Sequence, residues 1–216
     1  MAEPTFDQLL ARARALASRG PRAILGITGS PGAGKSTLAG RLVDALGPQV
    51  AVLVGMDGFH LANGVLDQMD ARSRKGAPHT FDGAGFVALI RRLRDQPRAA
   101  AAGIDPVVYA PRFDRTIDES IGSAVPVRAE VPLVVTEGNY LLVDSPPWHE
   151  LAGLLDETWF LDPPQLQRLD WLVARHEHFG RSPQAARDHA LGSDQLNAEV
   201  VAATACRADL VVRAIL

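Results

Sequence analysis

A three-layer α/β fold around a mainly parallel sheet is what this 216-residue sequence predicts, and three observations predict it. Short apolar runs recur at Ala23 to Thr28, Val50 to Val54, Pro132 to Thr136 and Glu157 to Leu161, each with the length of a buried strand. Stretches of helical period lie between them, which is the alternation of an α/β sheet wrapped on both faces. Polar clusters follow the runs directly, where ligands gather at the carboxyl ends of parallel strands.

Thr5-Phe-Asp-Gln8 reads as a capping box, and Leu9, Leu10, Ala13, Leu16 and Ala17 give the following helix one apolar stripe ending near Gly20-Pro21. After the first strand, Leu38, Leu42 and Leu46 recur at steps of four until Gly47-Pro48 stops the helix. The polar stretch from Asn63 to Asp82 shows little periodicity and reads as loop with irregular helix. A helix resumes from Gly85 to Arg94 with Asp82 as its cap, and Asp95-Gln-Pro is expected to break it. Ala99 to Asp105 reads as a surface connection. Val107-Val-Tyr109 leads into a turn-prone segment through Arg115, and a short strand at Val125 to Arg128 suits the sheet edge, where proline is tolerated. Gln165 to Phe179 has helical spacing, Ser182-Pro183 starts another helix, and Asp209 to Ile215 reads as the last strand.

The segment between the first strand and the Leu38 helix is Gly29-Ser30-Pro31-Gly32-Ala33-Gly34-Lys35-Ser36-Thr37. It fits the phosphate-binding pattern G-x-x-x-x-G-K-[ST], the P-loop, in the strand–loop–helix context that motif needs. Glycines let backbone N–H groups converge on phosphate oxygens, and the helix N-terminus adds partial positive charge. Lys35 is then expected to reach the β- and γ-phosphates of ATP, and the Ser36 hydroxyl to hold Mg²⁺. The chain has only two lysines, Lys35 and Lys75, which makes a chance lysine in that slot a poor explanation.

Asp57 follows the second strand and Glu137 the strand through Val135. Asp57 can accept the proton of an attacking hydroxyl, or it can be the first residue of an Asp-Gly turn. Glu137 can act near Mg²⁺ or its waters, or can be a buried acid bonded to backbone; the polar Gly138 and Asn139 beside it favour function. Arg168, Arg175 and Arg181 lie on one helix and its exit. They can close over phosphates or form a solvated face. His176 and His178, two apart on a helix, point to different sides and do not make a zinc pair.

Composition narrows the class. A net charge of -3 argues against general nucleic-acid binding, and no apolar run approaches membrane-spanning length. Cys206, the single cysteine, excludes an internal disulfide and fits a reducing compartment, so the cytoplasm is expected. The length suits one domain over 1–216. Partners are expected to be ATP and a small hydroxyl-bearing molecule, without nucleic acid or membrane; a homodimer stays open.

Several segments together resemble the uridine kinase, pantothenate kinase and phosphoribulokinase group of P-loop kinases. They are the P-loop, Met56-Asp-Gly-Phe-His60, Arg74-Lys-Gly-Ala-Pro78 with Phe81-Asp82, Val135-Thr-Glu-Gly-Asn-Tyr140, Arg175-His with Phe179-Gly-Arg181, and Asn197 with Thr204 and Arg207-Ala-Asp-Leu-Val211. Within the group the chain is most similar to bacterial nucleoside/nucleotide kinase-like and fructose-transport-system kinase proteins. The resemblance implies a five-stranded sheet of order 2-3-1-4-5, Asp57 as catalytic base with Lys35, and a helical lid over about 165–192 that carries Arg175. It implies an acceptor pocket drawn from the stretches around His60, Lys75, Tyr109 with Arg112, and Asn139. It also implies an ATP base near the loop before the last strand, with Arg207 among the nucleotide contacts. Ala205 stands where pantothenate kinases carry an arginine, and His60 replaces the tyrosine-bearing motif of uridine kinases, so a sugar such as fructose, a nucleoside and a pantothenate-like compound all remain candidate acceptors. The competing class is a P-loop ATPase with a regulatory or assembly role and no small acceptor.

Overall fold

The computed structural model describes residues 3–20, 22–103 and 107–213. The helices are α1 (Phe6–Ala17), α2 (Lys35–Leu46), α3 (Asn63–Gln68), α4 (Gly83–Ala101), α5 (Gln165–His178), α6 (Pro183–Leu191) and α7 (Ser193–Ala202). The strands are β1 (Ala23–Gly29), β2 (Ala51–Gly55), β3 (Val107–Asp114), β4 (Glu119–Arg128), β5 (Leu133–Glu137), β6 (Glu157–Leu161) and β7 (Leu210–Val212).

Five strands form one parallel sheet in the order β2-β5-β1-β6-β7. Counted along the chain within that sheet, the order is 2-3-1-4-5, as the resemblance implies. β1, β5 and β6 are buried at every residue, which is why they read as unbroken apolar runs rather than alternating ones. On one face α1 and α2 cover Leu25, Ile27, Val135 and Trp159 with Leu9, Leu16, Leu38 and Leu42. On the other, α4 and the segment around Trp148 cover Ile24, Val54, Val134 and Phe160. The N-terminal capping box is present, with Thr5 Oγ1 accepting from Gln8 N and Gln8 Oε1 accepting from Thr5 N at 2.9 Å. Asp82 caps α4 by accepting from Gly85 N at 2.8 Å. Among the described residues no helix is long and apolar enough to cross a membrane.

Several expectations fail. The helix expected to break at Asp95-Gln-Pro continues through Pro97 to Ala101. Proline removes the N–H that would bond the carbonyl of Leu93, four residues earlier. Arg22 Nη1 donates to that carbonyl at 3.2 Å instead, so the break is satisfied from outside the helix. Part of the connection expected at Ala99 to Asp105 therefore belongs to α4, and 104–106 lie outside the described residues. The edge strand expected at Val125 to Arg128 is not in the main sheet: it is the end of β4, which pairs antiparallel with β3 as a separate hairpin. The turn expected before Arg115 is mostly strand β3, and its register slips between Ala110 and Arg112 beside Pro111, which has no N–H for the ladder. Of the last strand, expected at Asp209 to Ile215, Leu210–Val212 form β7, and 214–216 lie outside the described residues.

Candidate active site

The strand order decides what meets at the site. β5 lies between β1 and β2, so Glu137 pairs in register with Ile27 on one side and Gly55 on the other. The P-loop leaves β1 two residues beyond Ile27, and Asp57 stands two residues beyond Gly55. Three segments far apart in sequence thus reach one rim of the sheet, above a cleft of about 1240 Å³.

Gly32 and Gly34 take left-handed φ of 84° and 89°. A Cβ on Gly32 would meet the Arg168 carbonyl at 2.8 Å, so only glycine lets the loop pack on α5. Gly34 caps α2 with no side-chain acceptor, which leaves the first-turn N–H groups of that helix to a ligand. Lys35 is 8% exposed, and its ammonium donates to the carbonyls of Gly29 at 2.8 Å and Ser30 at 3.1 Å. Burial lowers its pKa to about 8, against the favourable field of Glu137. Glu137 is raised to about 7, first by burial and then by the charge of Asp57; the Ser36 hydroxyl hydrogen-bonds its carboxylate. Ser36 and Glu137 are therefore the oxygen pair fit to hold Mg²⁺, and Lys35 with the free helix N-terminus fits a nucleoside triphosphate.

Asp57 sits in a 3₁₀ turn, Met56–Phe59, pressed against the β3–β4 hairpin. A Cβ on Gly58 would meet the Pro111 carbonyl at 2.6 Å, so the Asp-Gly pair serves a close approach. Burial alone would raise the pKa of Asp57, but the fields of His60, Arg115, Lys35 and Arg175 outweigh it and hold the carboxyl below its ordinary value. Burial lowers the pKa of His60 itself, which leaves Arg115, Lys35 and Arg175 as the main pull on Asp57. Arg115 Nη2 donates to Asp57 Oδ2 at 2.8 Å. The His60 ring lies between Phe81 and Phe113, at centroid distances of 4.0 and 4.7 Å, and its Nδ1 bonds the Asp57 carbonyl at 2.8 Å.

The three arginines after β6 differ. Arg168 is 3% exposed and donates to the Pro31 carbonyl at 2.7 Å and to Gln195 at 3.0 Å, so it is neither a phosphate ligand nor a solvated face but a clamp between α5 and the P-loop. Arg175 lines the cleft, and its guanidinium makes no hydrogen bond or ion pair among the described residues. Arg181 is exposed at the cleft rim.

Gly32, Ala33, Gly34, Lys35, Ser36, Thr37, Asp57, His60, Lys75, Glu137, Asn139 and Arg175 all line this cleft, while Gly29 and Ser30 do not and instead accept from the Lys35 ammonium through their carbonyls. Tyr109, Arg112 and Arg207 do not line it. Strand alternation points Val108 and Ala110 inward and leaves Tyr109 56% exposed on the opposite face, and Arg112 is exposed as well. Arg207 is drawn to Asp144 at 2.5 Å on the surface. Lys75 reaches the cleft wall but its ammonium is taken by Asn63, at 2.6 Å, and by Asp118. Arg115 and Phe113 went unnoticed in the sequence; both sit in the stretch read as a turn, and the only signal was their nearness to Arg112.

Comparison with known proteins identifies the family and the fold. The sequence profile of the phosphoribulokinase / uridine kinase family matches residues 24–215. The chain is 34% identical over 160 residues to "Putative uridine kinase C227.14" of Schizosaccharomyces pombe, a match covering 70% of this chain and 65% of that protein, so it spans just under two thirds of this relative. It is 37% identical over 150 residues to the "ATP-dependent kinase-like protein notR'" of Aspergillus versicolor, covering 67% of this chain and 85% of that one. The crystal structure of a "putative fructose transport system kinase" from Silicibacter sp. TM1040 superposes with a TM-score of 0.83 at 36% identity, over 96% of this chain and 98% of the other. The chain belongs to the phosphoribulokinase / uridine kinase family and is a phosphotransferase.

Proposed function

We propose that the protein transfers the γ-phosphoryl group of ATP to a hydroxyl of a small molecule, with Asp57 as the base. The observation that carries this reading is the placement of an ionised carboxylate across Glu137 from a P-loop lysine, at the mouth of one cleft. Phosphoryl transfer asks mainly for positioning and for neutralisation of the equatorial oxygens. Gly32 to Thr37 orient the phosphates through backbone N–H groups. Lys35 leaves its own loop carbonyls to meet them, and unpartnered Arg175 is free to do the same from the lid, residues 165–192. Ser36 and Glu137 would hold Mg²⁺, which would supply further neutralisation of the phosphate charge. Asp57 accepts the hydroxyl proton once the acceptor has displaced Arg115 from its Oδ2, or shares that oxygen with it.

The acceptor sits between the Asp57 turn and the hairpin, against His60, Phe113 and Asn139. A sugar such as fructose, a nucleoside or a pantothenate-like compound each offers a primary hydroxyl; the names of the relatives favour the first two. A coupled ADP-release assay across these classes, with an acceptor-free control, tests the reading. Acceptor-dependent ADP release is expected. Equal release with and without every acceptor would favour an ATPase instead.

A further inference from the structure

His176, His189 and Asp194 come from three successive helices and meet at the cleft wall. His176 is in the last turn of α5, His189 in the last turn of α6 and Asp194 in the first turn of α7. His176 Nε2 and Asp194 Oδ2 are 2.6 Å apart, the two imidazole rings stand edge to face at 4.9 Å, and one ligand atom from each residue lies within 4.8 Å of the other two. We propose that these three residues form a binding site for a divalent transition-metal ion of the zinc class, separate from the Mg²⁺ position at Ser36 and Glu137.

Two imidazoles and one carboxylate are a borderline-soft donor set, suited to Zn²⁺, Co²⁺ or Ni²⁺ and not to Mg²⁺, which prefers oxygen ligands throughout. Ligands about 2.0–2.2 Å from a tetrahedral ion stand about 3.4 Å apart, so the set closes with side-chain shifts of about an ångström. His189 is partly buried, so its ring is held in place by the packing of the helix ends. Arg181 and Arg175 lie near the group and oppose a cation; Asp194, 8% exposed, supplies the charge that offsets them. Three protein ligands leave a fourth position for water or an oxygen of a bound molecule. An ion there ties the ends of α5 and α6 to the start of α7, and so fixes the turn of α5 that carries Arg175, next to His176. The sequence hid the set because the three ligands are spaced 13 and 5 apart, across two helix ends.

The test uses the full chain, stripped by chelator and titrated with Zn²⁺ by calorimetry in excess Mg²⁺, with Co²⁺ absorption as a geometric probe. One saturable equivalent is expected, with a Co²⁺ spectrum of tetrahedral intensity and a Zn²⁺-dependent rise in melting temperature. His189→Gln and Asp194→Asn, each confirmed as folded by circular dichroism, should weaken binding at least about 10-fold, while His149→Gln on the exposed surface should not. If Asp194→Asn fails to fold, His189→Gln carries the comparison alone. No saturable binding at several-fold molar excess of Zn²⁺, or equal affinity in the wild type and His189→Gln, would overturn the proposal and leave the group as a hydrogen-bonded brace.

Discussion

The two halves of the cleft are held by different means. The phosphate half is built from main chain: glycines at positive φ, an uncapped helix N-terminus and strands buried at every residue. The half proposed to take the acceptor is built from side chains that hold one another, with Arg115 on Asp57, Lys75 on Asn63 and Asp118, and His60 between two phenylalanines. Backbone geometry leaves few choices of residue, so the first half is tightly specified by sequence. Side-chain pairs can be rebuilt in many ways, and specificity for an acceptor can change there without disturbing the fold.

Substitutions in the first half should therefore cost the most. Lys35→Ala should reduce ATP turnover by about 10³-fold, as expected for loss of a cation at developing phosphate charge. Unchanged turnover in a steady-state assay would remove the P-loop from the chemistry. Arg175→Ala should lower kcat by about 10²-fold with little change in stability, since the guanidinium has no partner to lose among the described residues. Arg168→Ala should do the reverse, lowering stability by about 1–3 kcal/mol in urea denaturation because the buried Pro31 carbonyl loses its donor. A swap of these two outcomes would contradict the division between clamp and ligand.

Glu137 offers a pH test at the boundary of the halves. Its folded pKa of about 7 lies above the ordinary 4.5, so between those values the native state binds more protons than the unfolded chain. Stability from this group is accordingly present below about pH 4.5 and is lost as pH rises toward 7. Glu137→Gln without nucleotide should gain melting temperature relative to wild type across that window and hold the gain above it; a pH-independent difference would contradict the assignment. Lys75→Met should have the smallest effect, a rise in KM for the acceptor with kcat and the KM for ATP unchanged, because its bonds position the loop between α3 and the hairpin.

Much of the fold was legible because its strands are all-apolar and its loops are marked by glycine and proline. The P-loop, Asp57 and Glu137 were legible because each directly follows such a strand. Helix α4 was cut short in the reading because the donor that replaces the missing N–H of Pro97 is Arg22, 75 positions away. The hairpin was missed because Pro111 and the slip at Ala110 look like turn chemistry in a single strand, whereas the pairing that makes them a strand comes from β4. Tyr109 and Arg112 were assigned to the acceptor pocket through the family resemblance; Tyr109 stands opposite the inward Val108 and Ala110, and after the register slip beside Pro111 Arg112 is exposed while Phe113 and, past the strand end, Arg115 line the cleft. Arg168 had helical spacing but no signal that it would be buried against Pro31.

In the proposed reaction Asp57 removes the proton of an acceptor hydroxyl while the P-loop half binds ATP independently. Asp57→Asn measured in parallel for ATP affinity, by calorimetry, and for acceptor-dependent ADP release tests it most directly. The expected result is ATP affinity within a few-fold of wild type and a loss of about 10²-fold or more in acceptor phosphorylation. Near wild-type phosphorylation by the variant would contradict the claim.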